Sequence, residues 1–132
     1  MKQWRKAAAA ILLALGLTAC TAAGKTDGVT KIDAEKAKAM MDAGGVTVVD
    51  VRTAEEYAEG HVPGALLVPL ESIGGQAPAA LPDQKATLLV YCRSGRRSAQ
   101  AAAKLAELGY GHVYDFGGIL DWPYDTETGA AE

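Results

Sequence analysis

Cysteine, histidine and phenylalanine are scarce in this chain: two, two and one among 132 residues. Two cysteines allow at most one disulfide, so a disulfide-stapled scaffold is excluded. No Cys/His cluster stands at ligand spacing, so no metal site is expected. Aromatic residues make up only 6% of the chain, which leaves the core to aliphatic side chains and alanine and favours helices packed closely on a sheet. Excess positive charge is also missing. Three of the thirteen basic residues, Lys2, Arg5 and Lys6, precede Cys20 in a stretch without acids, so the formal charge of −3 becomes −6 for the remainder. A nucleic-acid partner is therefore not expected, because no stripe of Lys or Arg exists outside one loop. Long apolar runs are absent too. The N-terminal run Ala7–Leu17 has eleven residues, well under the roughly 20 that a spanning helix needs.

That short run has the shape of an address. MKQWRK is a positive segment, Ala7–Leu17 an apolar one, and small residues follow, as in a secretory signal peptide. Its end, Leu17-Thr18-Ala19-Cys20, resembles the lipobox of bacterial lipoproteins, which implies cleavage before Cys20 and lipidation of that cysteine. Residues 1–19 are thus expected to be a lipoprotein signal peptide and 20–29 a lipidated tether. Residues 30–125 would form one domain and 126–132 a flexible tail. Several buried acyl chains anchor stably where one does not. The expected location is exported and lipid-anchored, on the periplasmic side of the outer membrane in a Gram-negative cell. If lipid consumes Cys20, Cys92 has no intramolecular partner.

Strand and helix signals alternate along the domain. Thr30–Ile32 reads as a short strand, and Asp33 as the cap of a helix over Ala34–Ala43 that Gly44-Gly45 ends. Val46–Val51 is a continuous β-branched run, expected for a strand covered on both faces. Thr53-Ala54-Glu55-Glu56 has the capping-box pattern and opens a short helix, which accounts for Glu56. Strands follow at Ala65–Val68, Leu88–Tyr91 and His112–Phe116, with a turn or short helix over Gly117–Trp122. About five strands and five helices in alternation imply a three-layer α/β/α domain with a roughly five-stranded parallel sheet.

The stretch Leu88–Leu108 carries the chemistry. An apolar strand delivers Cys92, a loop of Arg93, Ser94, Gly95, Arg96, Arg97 and Ser98 follows, and an alanine-rich helix begins. Strand, short glycine-containing loop and helix start make an anion cradle from backbone N–H groups and the helix dipole. Such a cradle, with three arginines, is expected to favour Cys92 as thiolate, the nucleophilic form, without a separate general base. Gly95 permits a tight turn, and Ser98 is expected as the helix N-cap. Asp50 and Arg52, at the end of a buried strand, are expected to form ion pairs that fix loops, with a place on the pocket rim as the second reading. His61 is read as a hydrogen bonder that orients its loop, and Trp122 as a packing residue.

With these residues in place, the domain resembles a single-domain rhodanese, a family of sulfurtransferases. Three blocks carry the match: Val48–Leu70 (VVDVRTAEEYAEGHVPGALLVPL), similar to D-V-R…E-[FY]-x-x-G-H-[IV]-x-G-A…P, the loop CRSGRR, and GGILDW at Gly117–Trp122. Leu67 departs from the Asn common there. The resemblance implies that Cys92 attacks the outer sulfur of a small anionic donor such as thiosulfate. A persulfide would form and be passed to a thiophilic acceptor, cyanide or a thiol. No cofactor is implied beyond that covalent intermediate. Arg97, then Arg93, would bind the donor's sulfonate.

Two other readings share Cys92. A membrane-tethered persulfide carrier or sensor would load sulfur without turnover, and its protein partner is not readable from the sequence. A rhodanese-fold phosphatase or arsenate reductase would need a larger loop. Tyrosine phosphatases use C-x5-R, whereas Cys92 and Arg97 are spaced C-x4-R, a ring better sized for one sulfur atom than for phosphate.

Overall fold

The computed structural model describes Lys25–Thr26 and residues 28–132. The expected signal peptide, Cys20 and most of the tether lie outside the described residues. Six strands form one sheet: β1 (Lys25–Thr26), β2 (Val29–Lys31), β3 (Val46–Asp50), β4 (Leu66–Leu67), β5 (Thr87–Cys92) and β6 (His112–Gly118), in the order β1-β2-β6-β5-β3-β4. Five of them, β2 to β6, pair in parallel, and β1 adds an antiparallel edge against β2. The helices are α1 (Ala34–Ala43), α2 (Ala54–Glu59) and α3 (Arg96–Glu107), with single 3₁₀ turns at Leu70–Ser72 and Ile119–Asp121. The about five helices expected from the sequence are, among the described residues, three α-helices and these two 3₁₀ turns, which glycine and proline in the connections keep short.

The sheet has a covered face on each side. Val49, Val51, Leu88, Val90 and Cys92 pack with Ala101, Ala102 and Leu105 of α3. Val48, Leu89 and Tyr91 pack with Ala37 of α1, Tyr57 of α2, Phe116 and Trp122. Alternate residues of β5 thus go to opposite layers, as the pleat requires. Burial on both sides explains why β3 and β5 are mostly β-branched and apolar, with the buried Asp50 closing β3. Fully burying each Leu or Val here contributes about 1.5–3 kcal/mol. α3 can lie close because it presents alanines, so the β5 side chain nearest its first turn, Cys92, meets the helix end directly.

The caps follow the sequence. The Asp33 carboxylate accepts the Lys36 N–H at 2.8 Å, and Thr53 and Glu56 complete a reciprocal capping box at α2. The margins differ. Val29, assigned to the tether, is buried in β2, and Lys25–Thr26 pair with it as β1. Thr126–Glu132, expected to be a free tail, returns along α2. Glu127 and His61 exchange two backbone hydrogen bonds of 2.8 Å, and the Gly129 N–H donates to the Ala58 carbonyl. That pairing is non-local, and nothing in the polar tail's own composition announces it.

Candidate active site

Cys92 ends β5 with its side chain fully buried. Its sulfur accepts the backbone N–H of Gly95 at 3.0 Å. The loop is shorter than expected: Gly95, at φ 108°, is already the N-cap, and α3 starts at Arg96. Arg93, Ser94 and Gly95 form the loop, while Arg96, Arg97 and Ser98 are its continuation as the first helical turn. The left-handed conformation of Gly95, open to glycine without strain, brings the chain from strand to helix in three residues and aims its N–H at the sulfur. The partial positive charge of a helix start falls on the same atom.

Ser98 is not the cap. It is fully buried, and its hydroxyl lies 2.8 Å from Oδ1 of Asp115, with the carbonyls of Gly95 and Gly117 farther off at 3.1 and 3.3 Å. Arg93, Ser94 and Arg96 are exposed. Arg97 is half-buried and forms a two-pronged ion pair with Glu56, Nη1 to Oε1 at 2.8 Å and Nη2 to Oε2 at 3.0 Å. Glu56 therefore does more than cap α2: it ties α2 to the first turn of α3. Hydrogen bonding by Arg97 pulls the Glu56 carboxyl down to about 2, against its partial burial and with help from the Thr53 N–H. The same bonds hold the Arg97 guanidinium above its ordinary value, with attraction from Glu56 and Cys92 adding to them.

A carboxyl held below its unfolded value stabilises the fold above that value and loses the contribution as pH falls toward the folded one. Glu56→Gln is accordingly expected to cost about 1–2 kcal/mol at neutral pH, after allowance for its solvent contact. It should also flatten the loss of stability between about pH 4.5 and pH 2. Urea midpoints followed across that range would check both.

Asp50 and Arg52 form a buried ion pair. Asp50 accepts the Arg52 Nε and Nη2 at 2.9 and 2.7 Å, and Arg52 Nη2 also reaches the Gly60 carbonyl at 2.7 Å. The Tyr91 hydroxyl donates to Asp50 at 2.6 Å and accepts the Val62 N–H at 3.0 Å. Burial, then the adjacent Asp50 charge, pushes the Tyr91 phenol upward. This network sits on the opposite face of β5 from Cys92 and fastens the loops at Gly60 and Val62. His61 stacks on Tyr57 with ring centroids 3.7 Å apart, and its Nδ1 lies 2.8 Å from the Tyr57 carbonyl oxygen. The indole N–H of Trp122 donates to the Asp125 carbonyl.

One feature escaped the sequence reading, and another was read only as part of the GGILDW block. Asp115 is fully buried in β6, where its Oδ1 accepts the Ser98 hydroxyl and the Gly117 N–H. An acid inside an otherwise apolar strand was the available signal. Gly118 pairs with Cys92 in the sheet, and a Cβ on it would stand 2.2 Å from the Arg93 carbonyl oxygen. The 3₁₀ turn beyond it donates the Leu120 N–H to that oxygen at 3.2 Å. A groove of about 480 Å³ lined by Met41, Val62, Trp122 and Tyr124 among others contains none of the cysteine-loop residues, so the chemistry is located by the loop. Among the described residues, no three His, Cys, Asp or Glu side chains gather where they could hold a metal ion.

A parallel α/β sheet with a cysteine at the carboxyl end of a central strand, facing a helix start across a three-residue loop, is the arrangement that the rhodanese resemblance implies. The rhodanese-like domain model matches residues 33–123, and the chain belongs to the rhodanese family. Sulfur transfer, in the general sense, is the activity this membership supports. The chain is 44% identical over 73 residues to the thiosulfate sulfurtransferase PspE of Escherichia coli K12, covering 55% of this chain and 70% of that one. It is 36% identical over 112 residues to the thiosulfate sulfurtransferase GlpE of Pseudomonas paraeruginosa, covering 81% and 99%. Among solved structures, a rhodanese with anions from E. coli superposes with a TM-score of 0.58 at 40% identity, covering 63% of this chain and 98% of that one.

Proposed function

We propose that this protein moves a sulfane sulfur from thiosulfate, or a similar small anionic donor, to a thiophilic acceptor through a persulfide on Cys92. The observation that carries the reading is the Gly95 N–H directed at Sγ from the start of α3. A donor N–H bonds a charged acceptor more strongly than a neutral one, so the contact favours sulfur as nucleophile and as leaving group. The Cys92 thiolate attacks the outer sulfur of thiosulfate, an S–S bond forms, and sulfite departs with the electron pair of the broken S–S bond. Cyanide, or the thiolate of an acceptor, then attacks the outer sulfur of the persulfide. Thiocyanate or a new persulfide leaves, and the Cys92 thiolate is restored. No cofactor enters either step.

Arg97, expected to bind the donor, is already engaged by Glu56 on both terminal nitrogens. In this proposal it supplies fixed charge at the cradle, while the exposed Arg93 and Arg96 meet the donor's sulfonate. The lipobox reading of Leu17–Cys20 adds a membrane tether, tested by labelled fatty acid entering the chain in cells and failing to enter a Cys20→Ser variant. Intact-mass measurement of the soluble domain after thiosulfate tests the transfer reading. A gain of about 32 Da, one sulfur atom, reversed by cyanide with release of thiocyanate, is expected. A stable adduct that neither cyanide nor any small thiol removes would mean a carrier. Hydrolysis of an aryl phosphate without an adduct would mean a phosphatase.

A further inference from the structure

We infer that Asp115 is a positioning residue for the sulfur cradle, acting on Cys92 through Ser98 and Gly117; the inference rests on sulfur transfer at Cys92. Two chain segments border the cysteine: the first turn of α3, and the end of β6. A single carboxylate oxygen joins them. Oδ1 of Asp115 accepts the Ser98 hydroxyl at 2.8 Å and the Gly117 N–H at 2.9 Å, while Oδ2 lies 3.3 Å from the exposed Lys31 ammonium. Asp115 and Ser98 are both fully buried. Ser98 stands one helical turn after Gly95, its hydroxyl 3.1 Å from the Gly95 carbonyl, so fixing Ser98 fixes the residue whose N–H meets the sulfur. On the other side, β6 carries a bulge. Val90 pairs with Asp115 and Tyr91 with Gly117, leaving Phe116 unpaired. The bulge sets the path of Gly117 and Gly118 beside the loop, and the Asp115 carboxylate closes it by bonding the Gly117 N–H.

A buried charge is not needed to fill this space, since well-packed apolar side chains often replace buried ions without loss of stability. What an apolar residue at 115 cannot do is hold the helix start and the bulge at one atom. The carboxylate's negative charge, taken alone, would work against a sulfur anion nearby, so its use here is geometric.

Three variants, Asp115→Ala, Ser98→Ala and Asp115→Asn, separate this role from plain structural support. Thermal unfolding establishes that each is folded. Asp115→Ala and Ser98→Ala are expected to lower kcat for thiosulfate and cyanide about 10- to 100-fold with KM for thiosulfate nearly unchanged. Both should move the pH midpoint of Cys92 alkylation by iodoacetamide upward, because the Gly95 N–H no longer points at the sulfur. Asp115→Asn keeps an oxygen acceptor and should recover most of the rate. Adding Ser98→Ala to Asp115→Ala should cost little more, as expected for one linked unit.

A lowered melting temperature with unchanged kcat and an unchanged alkylation profile would overturn the inference. So would a downward midpoint in Asp115→Ala, which would show that the acid acts only by its charge. If Asp115→Ala does not fold, Ser98→Ala, which changes no charge, decides the question by the same two readouts. Failure of the parent protein to form a persulfide would sink the transfer reading instead, and alkylation would still test the positioning.

Discussion

Cys92→Ser is expected to abolish sulfur transfer, with a fall of at least about 10³-fold in the thiosulfate:cyanide rate, while the domain remains folded. Serine's hydroxyl is a far weaker acid than a thiol, and without a base beside it the oxygen stays protonated and poorly nucleophilic. The buried Ser98 hydroxyl gives its proton to Asp115 and is no base. The functional loss should therefore be nearly complete. The structural cost should be small, within about 1 kcal/mol, because the serine oxygen can accept the same Gly95 N–H, so that backbone donor stays paired. Rate and intact mass together check this: no thiocyanate, no adduct with thiosulfate, and a melting temperature close to the parent's. A variant that turned over as fast as the parent would remove Cys92 from the chemistry altogether.

The parts of this domain legible in the sequence are those specified by neighbours in the chain. β3 and β5 announced themselves because a strand covered on both faces is largely apolar and β-branched. Asp33 and the Thr53–Glu56 box announced their helices because caps act over three residues. Cys92 was visible for the same local reason, a strand followed by a glycine-containing loop and helix-forming alanines. What stayed hidden depends on residues far apart in sequence. Glu56 and Arg97 are 41 positions apart, as are Asp50 and Tyr91, and no local pattern marks such pairs. Ser98 read as a cap because it has the right chemistry at nearly the right place. The structure instead turns the corner at Gly95 and gives the hydroxyl to Asp115. The tail looked free because its partner, His61, lies 66 residues earlier across an isolated bridge to Glu127.

Gly118→Ala is expected to be the most damaging substitution outside the cysteine, and its neighbour shows why. Gly118 has φ −125° and ψ 152°, an extended conformation open to any residue. Backbone freedom is not what it supplies. Its added Cβ would lie 2.2 Å from the Arg93 carbonyl oxygen and 2.7 Å from both the Arg93 carbonyl carbon and the Ser94 Cα. These are backbone atoms of the cysteine loop and cannot swing aside as a side chain could. The loop has to lift, stretching the Leu120 N–H bond to that carbonyl and turning the Gly95 N–H off the sulfur. Displacement by about 1 Å at a reacting centre can cost about 10²-fold, and overpacking adds about 1–3 kcal/mol of instability. Gly117 is the reverse case: φ is 91°, and a Cβ there meets nothing within 4 Å. Gly117→Ala should therefore cost only the left-handed strain, about 1–2 kcal/mol, with kcat reduced a few-fold at most. Unfolding midpoints and thiosulfate:cyanide rates on the two variants side by side make the test. Equal activity would mean that the Arg93 carbonyl is not pressed against Gly118, and the close approach that shapes the cradle would have to be abandoned.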